Sequence, residues 1–134
     1  MPIKSQIKPQ QRLVIMSHVG SVPDREFLYS YKALFDDARY DKSFNMLIDL
    51  RRADSSARSP NTLRDFAAFV RQQFGDAELG PKVAVVAPED ISFGLARMYE
   101  AFSDSVPWEF MVFRDATAAV SWLGLPEKIV DDIE

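Results

Sequence analysis

The sequence predicts an α/β fold in which helices cover a mostly parallel sheet, with the element order β-β-α-β-α-β-α-β-α. Two strand-then-helix units follow each other closely in the C-terminal third, opening on Val83-Ala84-Val85-Val86-Ala87 and on Phe110-Met111-Val112-Phe113. Each turns into its helix through acidic residues, Glu89-Asp90 and Asp115. In mid-chain, Met46-Leu47-Ile48 is too continuous in its apolarity for a half-exposed edge, which marks a central strand. Strands that alternate with helices need right-handed crossovers, and these build a parallel sheet.

Taken in order, Ile3 to Val19 reads as two strands with Pro9-Gln10-Gln11 as the turn, Leu13-Val14-Ile15-Met16 lying in the more buried one. Ser21 is the expected N-cap of the first helix, with Pro23 in its first turn, and the helix is expected to run to about Ala38. Phe27, Leu28, Tyr31, Leu34, Phe35 and Ala38 fall on one helical face, a core stripe rather than a cofactor box. Phe44 to Leu50 is the next strand and Arg51 to Asn61 the loop after it. The second helix starts near Ser59-Pro60-Asn61, buries Leu63, Phe66, Ala67, Val70 and Phe74, and stops at Gly75. Gly80-Pro81 introduces the strand over 82–87. The third helix spans about Asp90 to Ser103 with Ile91, Leu95, Met98, Tyr99 and Phe102 inward. A loop through Pro107 leads to the last strand, and the last helix holds Ala118, Ala119, Trp122 and Leu123. The tail, Pro126 to Glu134, carries Ile129, Val130 and Ile133 among acids; it reads as a short amphipathic turn on the chain's own core, the alternative being a neighbouring subunit.

With 134 residues, 47% of them hydrophobic and ten of them Phe, the chain can bury one core without staples, so a single domain over 1–134 is expected. The absence of Cys excludes disulfides and thiolate chemistry. No run approaches the roughly 18 apolar residues of a membrane helix, and a cytoplasmic protein with no transmembrane segment is expected. A net charge of −4 lacks the basic footprint of a nucleic-acid binder.

Ligands of open α/β sheets bind outside the carboxyl ends of the parallel strands. Three loops meet there and bring Arg51, Arg52, Ser55, Ser56, Arg58, Ser59, Glu89, Asp90, Arg114 and Asp115 to one rim. Arginines beside a helix N-terminus suit a phosphate or carboxylate, while the plainer reading has Ser59, Asp90 and Asp115 capping helices and the arginines pairing with nearby acids. Asp49, a carboxylate inside an apolar strand, needs donors, and Arg51 and Arg52 are near in sequence; a structural pair or a hydrogen bond to a neighbouring loop is the ordinary reading, a functional acid the other. His18, the only histidine, is read as a strand-end surface residue, too far along the chain from the serine loop to serve a Ser-His-Asp arrangement. The acid pairs Asp36-Asp37 and Asp131-Asp132 diverge on a helix, so no metal is expected. Neither a Gly-x-Gly-x-x-Gly pattern nor a phosphate loop is present, and no cofactor is expected. Gly94 is read as a site of close helix packing or of a dipped backbone, not of phosphate binding.

Several segments resemble the STAS-like, SpoIIAA-like domains named after anti-sigma factor antagonists. The likeness is carried by Met46-Leu47-Ile48-Asp49-Leu50-Arg51, by Val83-Ala84-Val85-Val86-Ala87-Pro88 with Phe93-Gly94-Leu95-Ala96-Arg97-Met98-Tyr99-Glu100-Ala101-Phe102, and by Val112-Phe113-Arg114-Asp115 running to Ser121-Trp122-Leu123-Gly124. It spans about Leu13 to Gly124 and points to a bacterial branch of small stand-alone domains with no assigned function. The resemblance implies a mixed sheet of four or five strands with helices packed against it. In the antagonists a serine of an Asp-Ser-Ser-Gly motif is phosphorylated to control partner binding. Here Asp54-Ser55-Ser56 occupies a comparable loop, with Ala57 in place of the glycine and only three residues between the strand and Asp54; Ser55 and Ser56 are the candidate phosphorylation sites.

No catalytic set stands out, and the leading reading is a non-enzymatic binding or regulatory module, alone or as a homodimer. Its contact surface is the 51–61 loop, with Asp49, Arg51, Arg52, Asp54, Ser55, Ser56, Arg58, Ser59 and Arg114 as candidates for a protein partner or a small anionic ligand. A second reading places a lipid or acyl chain in an apolar pocket near Phe66, Phe69, Phe93 and Tyr99, against the alternative that these aromatics fill the core. A third, a small hydrolase using Ser55 or Ser56 with Asp49, lacks a base.

Overall fold

The structure is a computed structural model that describes residues 2–75, 80–104 and 106–133. Its strands are β1 (Ile3–Lys8), β2 (Leu13–Ser21), β3 (Asn45–Asp54), β4 (Lys82–Val86) and β5 (Glu109–Phe113), and its helices α1 (Asp24–Asp36), α2 (Pro60–Phe74), α3 (Asp90–Phe102), α4 (Ala116–Trp122) and α5 (Ile129–Asp132). A 3-10 turn over Pro9–Gln11 joins β1 to β2. The five strands lie side by side in chain order, β1 antiparallel to β2 and the rest parallel.

Each crossover from β2 to β5 steps one strand in the same direction, and right-handed connections then stack α1, α2 and α3 on a single face. There Val14, Met16, Met46, Ile48, Val83 and Val85 meet Phe27, Tyr31, Leu34, Leu63, Phe66, Val70 and Tyr99. After the last strand α4 is free of that constraint and folds over the opposite face, where Ala116, Ala119, Val120 and Leu123 cover Leu13, Ile15, Leu47, Ala84 and Val86. Successive strand residues point to opposite faces, so the uninterrupted Met46-Leu47-Ile48 run feeds both cores at once. The tail docks on this second core through Ile129 and Ile133, as the own-core reading expects; residue 134 lies outside the described residues.

Local signals account for most boundaries. The Ser59 hydroxyl accepts from Thr62 N at 3.1 Å to cap α2, Pro60 occupies its first turn, and Gly75, at φ +58°, ends it. Asp115 caps α4 through Ala118 N at 2.8 Å. Gly80 is required by contact: a Cβ there would collide with the Pro107 carbonyl.

Four expectations are corrected. Ser21 does not cap α1; β2 runs on to Ser21, paired with Asp54, and Pro23 holds the N-cap position without a side-chain bond. That same pairing lengthens β3 from Leu50 to Asp54, so Arg51, Arg52 and Asp54 belong to a strand and the loop shortens to 55–59. On α3 the buried face is Ser92, Ala96 and Tyr99, while Ile91 (57%) and Met98 (38%) are exposed, because α3 packs on its neighbours through small residues. Gly94 faces open space, so close packing does not explain it. Among the described residues no helix is long and apolar enough to cross a membrane.

Candidate functional site

At the carboxyl end of the central strands the pairing of β2 and β3 slips by one residue. Ser17 faces Asp49 and Val19 faces Arg52, so His18 alone stands opposite Leu50 and Arg51. The bulge leaves a backbone donor without a ladder partner, and Asp49 supplies one: its Oδ1 accepts from Arg51 N at 3.0 Å. The same carboxylate takes both ends of the Arg51 guanidinium, at 2.9 and 3.2 Å. Asp49 is thus a structural pair, 3% exposed, on the α4 face of the sheet. Asp49→Ala is expected to lower unfolding free energy by about 2 kcal/mol in urea titrations, because three bonds are lost while the half-exposed Arg51 regains water. Asp49→Asn, which keeps an oxygen for Arg51 N, is expected to lose about half of that; equal losses would contradict the bulge assignment.

On the other face, α1, α2 and α3 do not close completely over the strand ends. A cavity of about 70 Å³ remains, walled by Phe27, Ile48, Leu50, Leu63, Phe66, Val85, Leu95, Ala96 and Phe110 together with His18, Tyr31, Ser55, Arg58, Ser92 and Tyr99. His18 is 5% exposed and its Nε2 shares a 2.9 Å hydrogen bond with Tyr31 Oη. Burial, aided by the Arg58 charge and opposed by Asp49, lowers its pKa to about 3, so the imidazole is neutral at neutral pH. Burial raises the Tyr31 and Tyr99 phenols above their ordinary value. Tyr99 Oη is buried with no hydrogen-bond partner among the described residues. Ser55 and Ser92 share a 2.8 Å bond between their hydroxyls, tying the loop to α3. The Arg58 side chain, 10% exposed, bonds Asp24 Oδ1 at 2.6 Å with its guanidinium carbon 4.4 Å above the Phe27 ring. Burial opposes ionisation of Asp24, but bonds from Thr62, Arg58 and Ser59 hold its carboxyl below the usual range.

The residues expected at one rim therefore separate. Arg58 and Ser55 line the cavity, Ser59 sits beside them on Thr62 and Asp24, and Asp49 and Arg51 lie on the opposite face. Arg52, Asp54 and Ser56 are exposed at the end of β3, with Asp54 Oδ1 accepting from Ser56 N at 3.1 Å and from its hydroxyl at 2.7 Å. Arg114 donates to Asp90 Oδ1 at 2.8 Å and to the Pro88 carbonyl at 3.0 Å, over the Phe93 ring. Asp90 therefore serves Arg114 and caps nothing, whereas Asp115 and Ser59 cap as expected. His18 is corrected from a surface residue to a buried wall of the cavity. Of the four aromatics expected at a pocket, Phe66 and Tyr99 line it and Phe69 and Phe93 do not. Sequence reasoning missed Tyr31, Ser92 and Asp24 as site residues; Ser92 carried a signal, as a small polar residue on a helix that buries its small side.

A five-stranded mixed sheet with three helices on one face and the C-terminal helices on the other defines a domain of SpoIIAA-like fold, the architecture the resemblance implied. A solved structure with this fold, an uncharacterized protein of the DUF3478 family from Shewanella loihica PV-4, is similar over 90% of this chain and 91% of its own, with a TM-score of 0.58 and 18% identity. No family model matches the sequence, and no curated protein matches it.

Proposed function

We propose that this chain is a non-enzymatic binding module for a small molecule, whose apolar body occupies the cavity and whose polar head lies at Ser55 and Arg58. The observation that carries this reading is the cavity, an apolar space at the carboxyl ends of the parallel strands with a few convergent polar groups on its wall. The 55–59 loop is then part of the site wall, and the exposed Arg52, Asp54 and Ser56 beside it are the groups through which a protein partner would sense occupancy. The phosphorylation suggested by the family likeness would act at the same place, since a phosphate on Ser55 would break its bond to Ser92. The hydrolase reading finds no support: the Ser55 hydroxyl is engaged with Ser92, and an imidazole with a pKa of about 3 is a weak base at neutral pH.

Protein purified from its own cells is expected to carry a small molecule in native mass spectrometry, and Leu95→Trp, at a half-buried wall position, is expected to lose it with an unchanged circular dichroism spectrum. Bare protein whose melting temperature rises by less than about 2 °C with every member of a panel of small acids, amides and alcohols would sink the reading.

A further inference from the structure

Resting on that reading, we propose that the ligand is a short-chain organic monocarboxylate, its carboxylate forked on the Arg58 guanidinium and its aliphatic body, roughly three carbons, in the cavity. Among the described residues Arg58 is the one ionised side chain on the cavity wall, His18 being neutral there. It is nine-tenths buried, and of its five guanidinium donors only one bonds a side chain among the described residues, Nη1 to Asp24. Its remaining donors are open to a ligand, and a planar carboxylate matches the guanidinium geometry in a way that an alcohol or amide does not.

The sign of the field agrees. Asp24 sits toward solvent, 39% exposed, while the Arg58 charge reaches inward to both His18 and Tyr31. Asp49 opposes it only from the other face of the sheet, where Arg51 already holds that carboxylate. The guanidinium is paired on its solvent side by Asp24, and its inward side faces the cavity with no acid among the described residues of the wall, which suits a single negative charge. Size sets the body: a cavity of about 70 Å³ is smaller than the roughly 150 Å³ that admits a benzene ring in an engineered apolar core. Long acyl chains do not fit this space, and the ligand must be compact.

The test uses isothermal titration calorimetry at pH 7 and low salt with isobutyrate, its neutral isosteres isobutyramide and isobutanol, and inorganic phosphate. Isobutyrate is expected to bind about tenfold more tightly than isobutyramide. Arg58→Gln is expected to weaken isobutyrate by about tenfold and to leave isobutyramide within about twofold. Asp24→Asn, at a part-exposed position, frees the guanidinium and is expected to tighten isobutyrate severalfold; it keeps the test decisive if Arg58→Gln does not fold. Isobutyramide or isobutanol binding as well as isobutyrate, no tightening in Asp24→Asn, or phosphate binding equally well would each overturn the carboxylate assignment and leave the binding module standing. Binding of no compound in the panel would overturn both.

Discussion

Phe66→Ala is expected to destabilise the protein by about 4 kcal/mol, a large part of the 5–15 kcal/mol that holds a typical domain together. Phe66 is 3% exposed and joins all three helices of the larger core. Its ring centroid lies 4.8 Å from Tyr31 and 4.9 Å from Phe27 on α1, and 5.3 Å from Tyr99 on α3. Removing the ring deletes those aromatic contacts and merges the void with the existing cavity, which leaves little chance for the neighbours to collapse into it. Urea unfolding is the measurement, with Phe69→Ala on the half-buried flank of the same helix as the comparison, expected to cost about 1–2 kcal/mol. A loss below about 2 kcal/mol for Phe66→Ala would show that the aromatic cluster is not the centre of the core.

Acidification from pH 6.5 towards pH 3 is expected to remove about 4 kcal/mol of stability through His18 alone. The folded-state pKa, about 3, lies below the unfolded value of 6.5, so the unfolded chain binds the proton first. Stability contributed by the neutral imidazole is therefore complete above pH 6.5 and falls as the pH drops towards the folded value. Desolvation is the main cause and the Arg58 charge adds to it, with Asp49 partly offsetting both. The carboxylates of Asp24, Asp37, Asp41 and Asp54 are also held low, Asp37 at about 2, but they act below their unfolded value near 4. The window from pH 6.5 to about 4.5 thus isolates the histidine. His18→Gln, which keeps a hydrogen-bonding group for Tyr31 and cannot titrate in this range, is expected to flatten the stability profile there. A wild-type profile already flat between pH 7 and 5, or an imidazole titrating near 6.5 by NMR, would show that His18 is not buried neutral.

How far the sequence could be read depended on whether the deciding force was local. The core stripe of α2, its Ser59 cap and its Gly75 stop are set by neighbours in the chain, and the structure reproduces them. The outer half of β3 is not legible locally, because Arg51, Arg52 and Asp54 look like a loop by composition; the pairing of Val19, Gly20 and Ser21 on β2 is what extends the strand through them. His18 shows the same limit. A lone polar residue at a strand end reads as exposed, and only the packing of Phe27 and Tyr31 from α1 against it makes it buried.

Periodicity, caps and turn residues act over a few positions, so the order and type of the elements, the mostly parallel sheet and the aromatic core are legible in the chain alone, and the mixed sheet follows from the family resemblance. The sequence also put Asp49 next to its arginine partner, two residues away. The tertiary structure alone decided which helices share a face, where the β2–β3 bulge falls and which charges face inward. Those outcomes depend on residues far apart in the chain, such as Ser55 with Ser92 and Arg58 with Asp24, brought together only when crossover handedness and packing place α1, α2 and α3 over the same strand ends.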